Sequence, residues 1–291
     1  MPKRQQQKVM PNSPLRRHRL MSTHRLALLA ALYFLLSCAL SAQVDTSPVP
    51  EANPARPTVS TPATLTPAGY LQFENGGLFA AKSSEFSRRV GIGQVTKLSI
   101  DKRVQFLALF EPFTHSTGAA VPGNRPGEVF AGLQAVIVPG KGERPTISAQ
   151  YVRRLYASPA PELDLGTFVQ SATILLSDDL DGFHFDMNGL VMEQQEDRTK
   201  VRRAQFAGTL SISHPIWKFT ISGEVWHFAQ PLTHGHAVGN LWAMSYPVRK
   251  NLVIDAGLDH GFTSTSTRWE GFAGFTYLLP HRLWRERNHL Y

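Results

Sequence analysis

Eight polar residues stand in stretches where apolar residues recur at every second position: Glu74, Glu111, Asp186, Lys218, Thr220, Glu224, Asp255 and Asp259. That spacing puts the polar set on one face of a strand and the apolar set on the other. Acids and bases gathered on a sheltered polar face attract, repel or pair with whatever lies between them, and Arg103, Arg153, Arg203 and Lys218 supply basic partners. Two uses of such a lining stay open: a pore for solutes, or an interior closed and stiffened by its own side chains.

Other constellations point to no chemistry. His234-Gly235-His236 offers two imidazoles in a polar loop, short of the three or four ligands of a zinc or copper site. Gly91-Ile92-Gly93 lacks the third glycine and the helix of a dinucleotide site. There is no Gly-x-Ser-x-Gly elbow, and Ser211 and His214, three apart, fall on opposite faces of a regular strand. Asp178, Asp179 and Asp181 form an acidic turn, where aspartate belongs on conformational grounds. No catalytic residue, metal site or cofactor is assigned.

The elements that must carry the polar face are strands. From Trp217 to Val225, Trp217, Phe219, Ile221, Gly223 and Val225 alternate with Lys218, Thr220, Ser222 and Glu224. Trp226 and Phe228 would continue the polar face on strict alternation, so a bulge or a membrane rim is expected near His227. Leu252, Ile254, Ala256 and Leu258 are set against Asp255, Gly257 and Asp259, and period two also marks segments around Ile147, Phe185 and Phe206. Seven less regular segments, 70–80, 90–100, 103–113, 128–138, 165–177, 238–248 and 269–279, bring the candidate strands to twelve.

Short connections at Asp101-Lys102, Pro139 to Gly142, Ser177 to Asp179, His214-Pro215 and Arg249 to Asn251 alternate with longer polar ones, the plan of an up-and-down barrel. After residue 67 no stretch approaches the 18 consecutive apolar residues that suggest a membrane helix. Tyr70, Phe113, Trp217, Trp269 and Tyr277 near strand ends suit an interfacial girdle. The fold expected over 68–280 is an all-β, antiparallel transmembrane barrel of about twelve strands. A soluble sandwich or lipocalin-like barrel, apolar inside, is the competing architecture.

Arginines followed by the apolar run Leu26 to Leu36 and by small residues read as a signal peptide over 1–42, with Met21 as a candidate start. Leu35 to Cys38 offers a lipobox as the alternative. Cleavage before Gln43 removes seven of the 30 Lys and Arg, leaving 23 against 22 acids, so the basic balance that would favour a nucleic-acid partner disappears. The stretch 43–67, rich in Pro, Thr, Ser and Ala, reads as a disordered linker, no plug-sized domain precedes the strands, and 281–291 reads as a tail.

Leu65 to Glu74, with its Thr-Pro-x-Gly lead and a strand carrying a Glu, resembles the opening strand of the MetA-pathway-of-phenol-degradation family of outer-membrane proteins. Asn251 to Leu258, a loop, and Gly271 to Tyr277 resemble that family's last hairpin. The chain departs from many outer-membrane barrels in running past its last strand to Tyr291. The resemblance implies passive passage of small, aromatic or apolar solutes. A barrel of this kind has outer-membrane lipid and the barrel-assembly machinery as partners. The alternatives are a non-conducting structural or sensing barrel and a soluble periplasmic ligand-binding domain.

Overall fold

The computed structural model describes residues 49–196 and 199–284. The expected signal peptide, its start at Met21, the lipobox and the terminal Tyr291 lie outside the described residues. The described chain forms strands β1 (Leu71–Ala81), β2 (Arg88–Ser99), β3 (Val104–Thr117), β4 (Gly123–Arg125), β5 (Val129–Val138), β6 (Thr146–Tyr156) and β7 (Phe168–Leu180). They continue as β8 (Phe183–Gln195), β9 (Arg202–Ile216), β10 (Phe219–Gln230), β11 (Gly235–Arg249), β12 (Leu252–Gly261) and β13 (Trp269–Leu278).

Each long strand pairs antiparallel with its neighbours in sequence, and β13 pairs with β1, so twelve strands close on themselves. The three-residue β4 pairs with β3. Closure satisfies every wall strand's backbone with another strand and leaves no free edge.

The wall is polar within and apolar without. Glu74 and Gln105 are each 1 % exposed and Lys97 is also buried, whereas Trp242 and Leu258 are each 63 % exposed. A soluble barrel has the reverse arrangement.

Short connections gather at one mouth. Asp181 (φ 51°) and Gly182 (φ 81°) link β7 to β8 in the left-handed conformations of a two-residue type I′ hairpin, so the turn lies beyond the expected Ser177 to Asp179. Trp217 and Lys218 link β9 to β10, placing His214 and Pro215 within β9. At the long-loop mouth several strands outrun their expected ends: β3 reaches Thr117, β6 reaches Tyr156 and β8 reaches Gln195. In β3, Glu111 and Pro112 together oppose Gly93, a bulge placed where proline has no N–H to give the ladder.

Candidate functional site

Residues 53–66, within the expected linker, lie against the inner wall and bond to it mainly through its side chains. Asn53 N–H donates to Gln72 Oε1 (2.9 Å), while Gln72 Nε2 donates back to the Asn53 carbonyl (2.7 Å). Ala55 N–H donates to Glu74, which also pairs with Lys97 Nζ at 2.5 Å. Arg56 clamps Asp255 with Nε at 3.2 Å and an Nη at 2.8 Å from its two oxygens. A Cβ on Gly76 or Gly274 would meet that guanidinium at 2.4 or 2.8 Å, so these glycines make room for it. Arg56 also lies 5.8 Å from the Phe272 ring centre.

Farther along, the backbone N–H groups of Val59 and Ser60 and the Ser60 hydroxyl all donate to Glu224, at 2.6–2.7 Å. Ser60 Oγ also lies 2.7 Å from the Thr209 hydroxyl, from which it can accept while donating to Glu224, and Asn188 exchanges two hydrogen bonds with Thr61. Ala63 is held by Ser177 and Ser148, Pro62 by Gln134, and Thr66 by Gln105. Taken in order, these partners stand on β1, β12, β10, β9, β8, β7, β6, β5 and β3. The segment therefore passes once around the inside of the wall before entering β1, as a belt. Its polar backbone explains why the wall behind it is polar: each buried N–H and C=O needs a partner.

Among the sequence candidates, Glu74, Asp255 and Glu224 bind the belt directly, and Asp186 accepts from Ser177, which supports Ala63. Glu111 lies toward the other mouth, paired with buried Arg89 at 2.6 Å. Asp259 accepts from Trp226 Nε1 at 2.8 Å. Thr220 shares the inward register of Ser222 and Glu224 near the short-turn mouth, where it is half-buried. Lys218 is in the exposed β9–β10 turn rather than on the inner face, beside a Trp217 that is 96 % exposed. A two-residue hairpin loop leaves that side chain no wall to line.

β10 carries no bulge at His227. Its register is unbroken from Phe219 to Gln230, and Trp226 and Phe228 remain inside, stacked at 4.9 Å. Met192, Ala207, Ala237, Leu165 and Phe168 pack around them, so the apolar surface is buried against apolar surface above the belt.

At the long-loop mouth the β6–β7 connection, 157–167, folds across the opening. Arg89 Nε donates to the Pro161 carbonyl (2.9 Å), Glu162 N–H to Glu85 (3.3 Å) and Thr267 N–H to Asp164 (2.5 Å). Burial, with Glu128 and Glu111 nearby, pushes the Glu162 carboxyl up to about 8, and burial also raises Asp164 and Glu85 above the ordinary carboxylate range. Sequence reasoning missed Arg56, Ser60 and Glu162. The one available signal was Arg56 itself, the lone cation between Val49 and Pro67.

No family model and no curated sequence matches the chain. Among solved structures, the chain is similar to an outer-membrane channel from Pseudomonas putida F1, with 10 % identity, a TM-score of 0.55, and coverage of 79 % of this chain and all of that one. The outer membrane phospholipase A of Escherichia coli matches with 9 % identity and a TM-score of 0.39 over 76 % of this chain and 96 % of that one. An anion-selective porin from Comamonas acidovorans matches with 7 % identity and a TM-score of 0.38 over 72 % and 98 %. The first likeness establishes the barrel fold; the other two are too distant to add to it.

Proposed function

We propose that this protein is an outer-membrane channel for small solutes, aromatic ones among them, whose lumen is narrowed by its own N-terminal belt. One observation carries the reading: the wall bonds to residues 53–66 mainly through side chains, with no β-ladder between belt and wall. The belt can therefore shift or leave without breaking a strand pairing. A belt serving only to brace the wall would be the non-conducting alternative, and its dense bonding to Glu224 and Asp255 is what favours a closed resting state. The aromatic solute class rests on the sequence resemblance; the Trp226–Phe228 pair is packed against Met192 and Phe168 within the barrel.

The membrane setting rests on the inside-out distribution of polarity, since an outer face bearing Phe206, Trp242 and Leu258 needs lipid against it. On this reading the short-turn mouth is periplasmic and the long-loop mouth extracellular. Ile221 and Thr220 test the orientation. Ile221→Arg puts a cation on the lipid face near the short-turn rim, where the cost is smaller than the roughly 2–4 kcal/mol of the midplane but falls on that face alone, so folded yield falls. Thr220→Arg folds nearly as well as the parent. Equal tolerance at the two positions contradicts the assignment.

Single-channel recording in planar bilayers tests the channel itself, comparing the chain from Gln43 with a variant lacking 49–66. Small, infrequent steps in the first and larger, sustained steps in the second are expected. Folded barrels silent in both forms would replace the channel with the non-conducting reading.

A further inference from the structure

On the outer wall of β6 to β9, below the long loops, lies a groove of about 370 Å³ that the lumen does not explain. The small side chains Ala172 and Ala204 form its floor, Tyr151 and Val191 line it, and Arg202 and Arg203 stand at its edge. A polar ladder crosses the four strands here. Tyr151 Oη donates to Gln170 Oε1 (2.6 Å), Gln170 Nε2 donates to Glu193 Oε2 (2.6 Å), and Arg202 pairs with Glu193 Oε1 at 3.0 Å.

The ladder marks a boundary. Toward the short-turn mouth, outward positions are apolar: Phe183, Met187 and Val191 on β8, Ile212 and Phe206 on β9, and Ile174 on β7. At the ladder they become Arg153, Gln170, Glu193 and Arg202. Outward-facing chemistry thus changes from lipid-like to charged within one groove, at the end of the barrel that carries the long loops. Arg202 is shared with Glu193, but exposed Arg153 has no carboxylate partner among the described residues.

We propose that this groove binds a bisphosphorylated, multiply acylated glycolipid of the outer leaflet, an acyl chain lying over Ala172 and Ala204 and phosphates meeting Arg202 and Arg153. The inference rests on the outer-membrane reading but not on conduction. The charge arrangement selects this occupant: guanidiniums on two strands and at their ends suit a headgroup with two separated phosphates better than a phospholipid with one. Guanidinium also pairs with phosphate through two parallel hydrogen bonds, which an ammonium does not reproduce.

The test uses the chain from Gln43 refolded in detergent, with native mass spectrometry against bisphosphorylated lipid A, its monophosphorylated form and phosphatidylglycerol. Bisphosphorylated lipid A should be retained most strongly. Arg202→Ala with Arg153→Ala should weaken it by about tenfold or more, in line with lost charge-assisted hydrogen bonds. Ala172→Phe, which fills the floor without touching a charge, should weaken it too and serves where the double variant does not fold. Unchanged retention in either folded variant overturns the proposal, as does phosphatidylglycerol bound equally well with the same sensitivity to the variants. A barrel that inserts into bilayers yet shows no lipid preference removes this inference alone, whereas failure to insert removes the membrane reading beneath it.

Discussion

At the short-turn mouth, carboxylates meet donors: Asp255 has Arg56, Glu74 has Lys97 and the Ala55 N–H, and Glu224 has two backbone N–H groups and a hydroxyl. At the long-loop mouth, carboxylates meet one another: Glu162 faces Glu85, Glu111 and Glu128, with Arg89 as the opposing cation and Arg154 engaged by Glu128. Both mouths are covered by a segment that is not a wall strand, yet the covers are held by opposite electrostatics. The belt is fixed by ion pairs and by hydrogen bonds from its own backbone to wall carboxylates. The β6–β7 connection is held partly by bonds to Glu85 and Asp164, carboxyls that burial pushes up from their ordinary range. The molecule thus has one cover held by donors set against carboxylates and one sensitive to protons.

The largest expected effect breaks the belt's clamp. Asp255→Ala leaves the Arg56 guanidinium without its counter-ion inside the lumen, and removing one member of a buried pair costs about 3–5 kcal/mol. The belt should then detach, seen as protease cleavage within 49–66 while boiled and unboiled samples still migrate differently. A belt as resistant to cleavage as the parent's would show that the clamp is not what holds it.

A smaller effect should appear at the other mouth. Glu162 has a raised pKa of about 8 when the loop is closed, above its ordinary 4.5. The closed loop therefore binds more protons than the open one between those values, and closure weakens as pH rises through that window. Protection of 157–167 from hydrogen exchange, measured against the intrinsic base-catalysed rate, should fall from pH 6 to pH 9, and Glu162→Gln should flatten the profile. The groups facing this loop, Glu85, Glu111, Glu128 and Arg89 around Glu162 and Asp259 and Glu270 around Asp164, are otherwise unchanged in that variant. A pH profile equally steep in Glu162→Gln would assign the response to one of those neighbours.

The wall was legible in the sequence because a strand with lipid on one side and polar groups on the other writes its two faces as alternation, as Ile254 and Asp255 do. Strand ends were less legible. Aspartates at 178 and 179 look like a turn by composition, but the backbone turns at Asp181-Gly182, where glycine relieves the left-handed conformation. Trp226 and Phe228 looked misplaced on an inner face because alternation alone says nothing of what fills the interior; Met192 and Phe168 arrive from other strands. The belt was illegible for a physical reason. It buries little apolar side chain and is held through backbone groups that every sequence has, so Pro, Thr and Ser give no periodic sign of it. Its binding site was readable only from the other side, as polar wall residues Glu74, Glu224 and Asp255.

The claim that the belt sets the width of the lumen is tested most directly by locking it in place. Ser60 and Thr209 touch, with their hydroxyl oxygens 2.7 Å apart, and the one native cysteine, Cys38, precedes Gln43. Ser60→Cys with Thr209→Cys, in the chain from Gln43, should form a reducible link between belt and β9. Bilayer recordings should show small or absent steps when the pair is oxidised, and larger steps within the same membrane after a reductant is added. Steps of the same size before and after reduction, in a protein shown by mass to have been linked, would contradict the account.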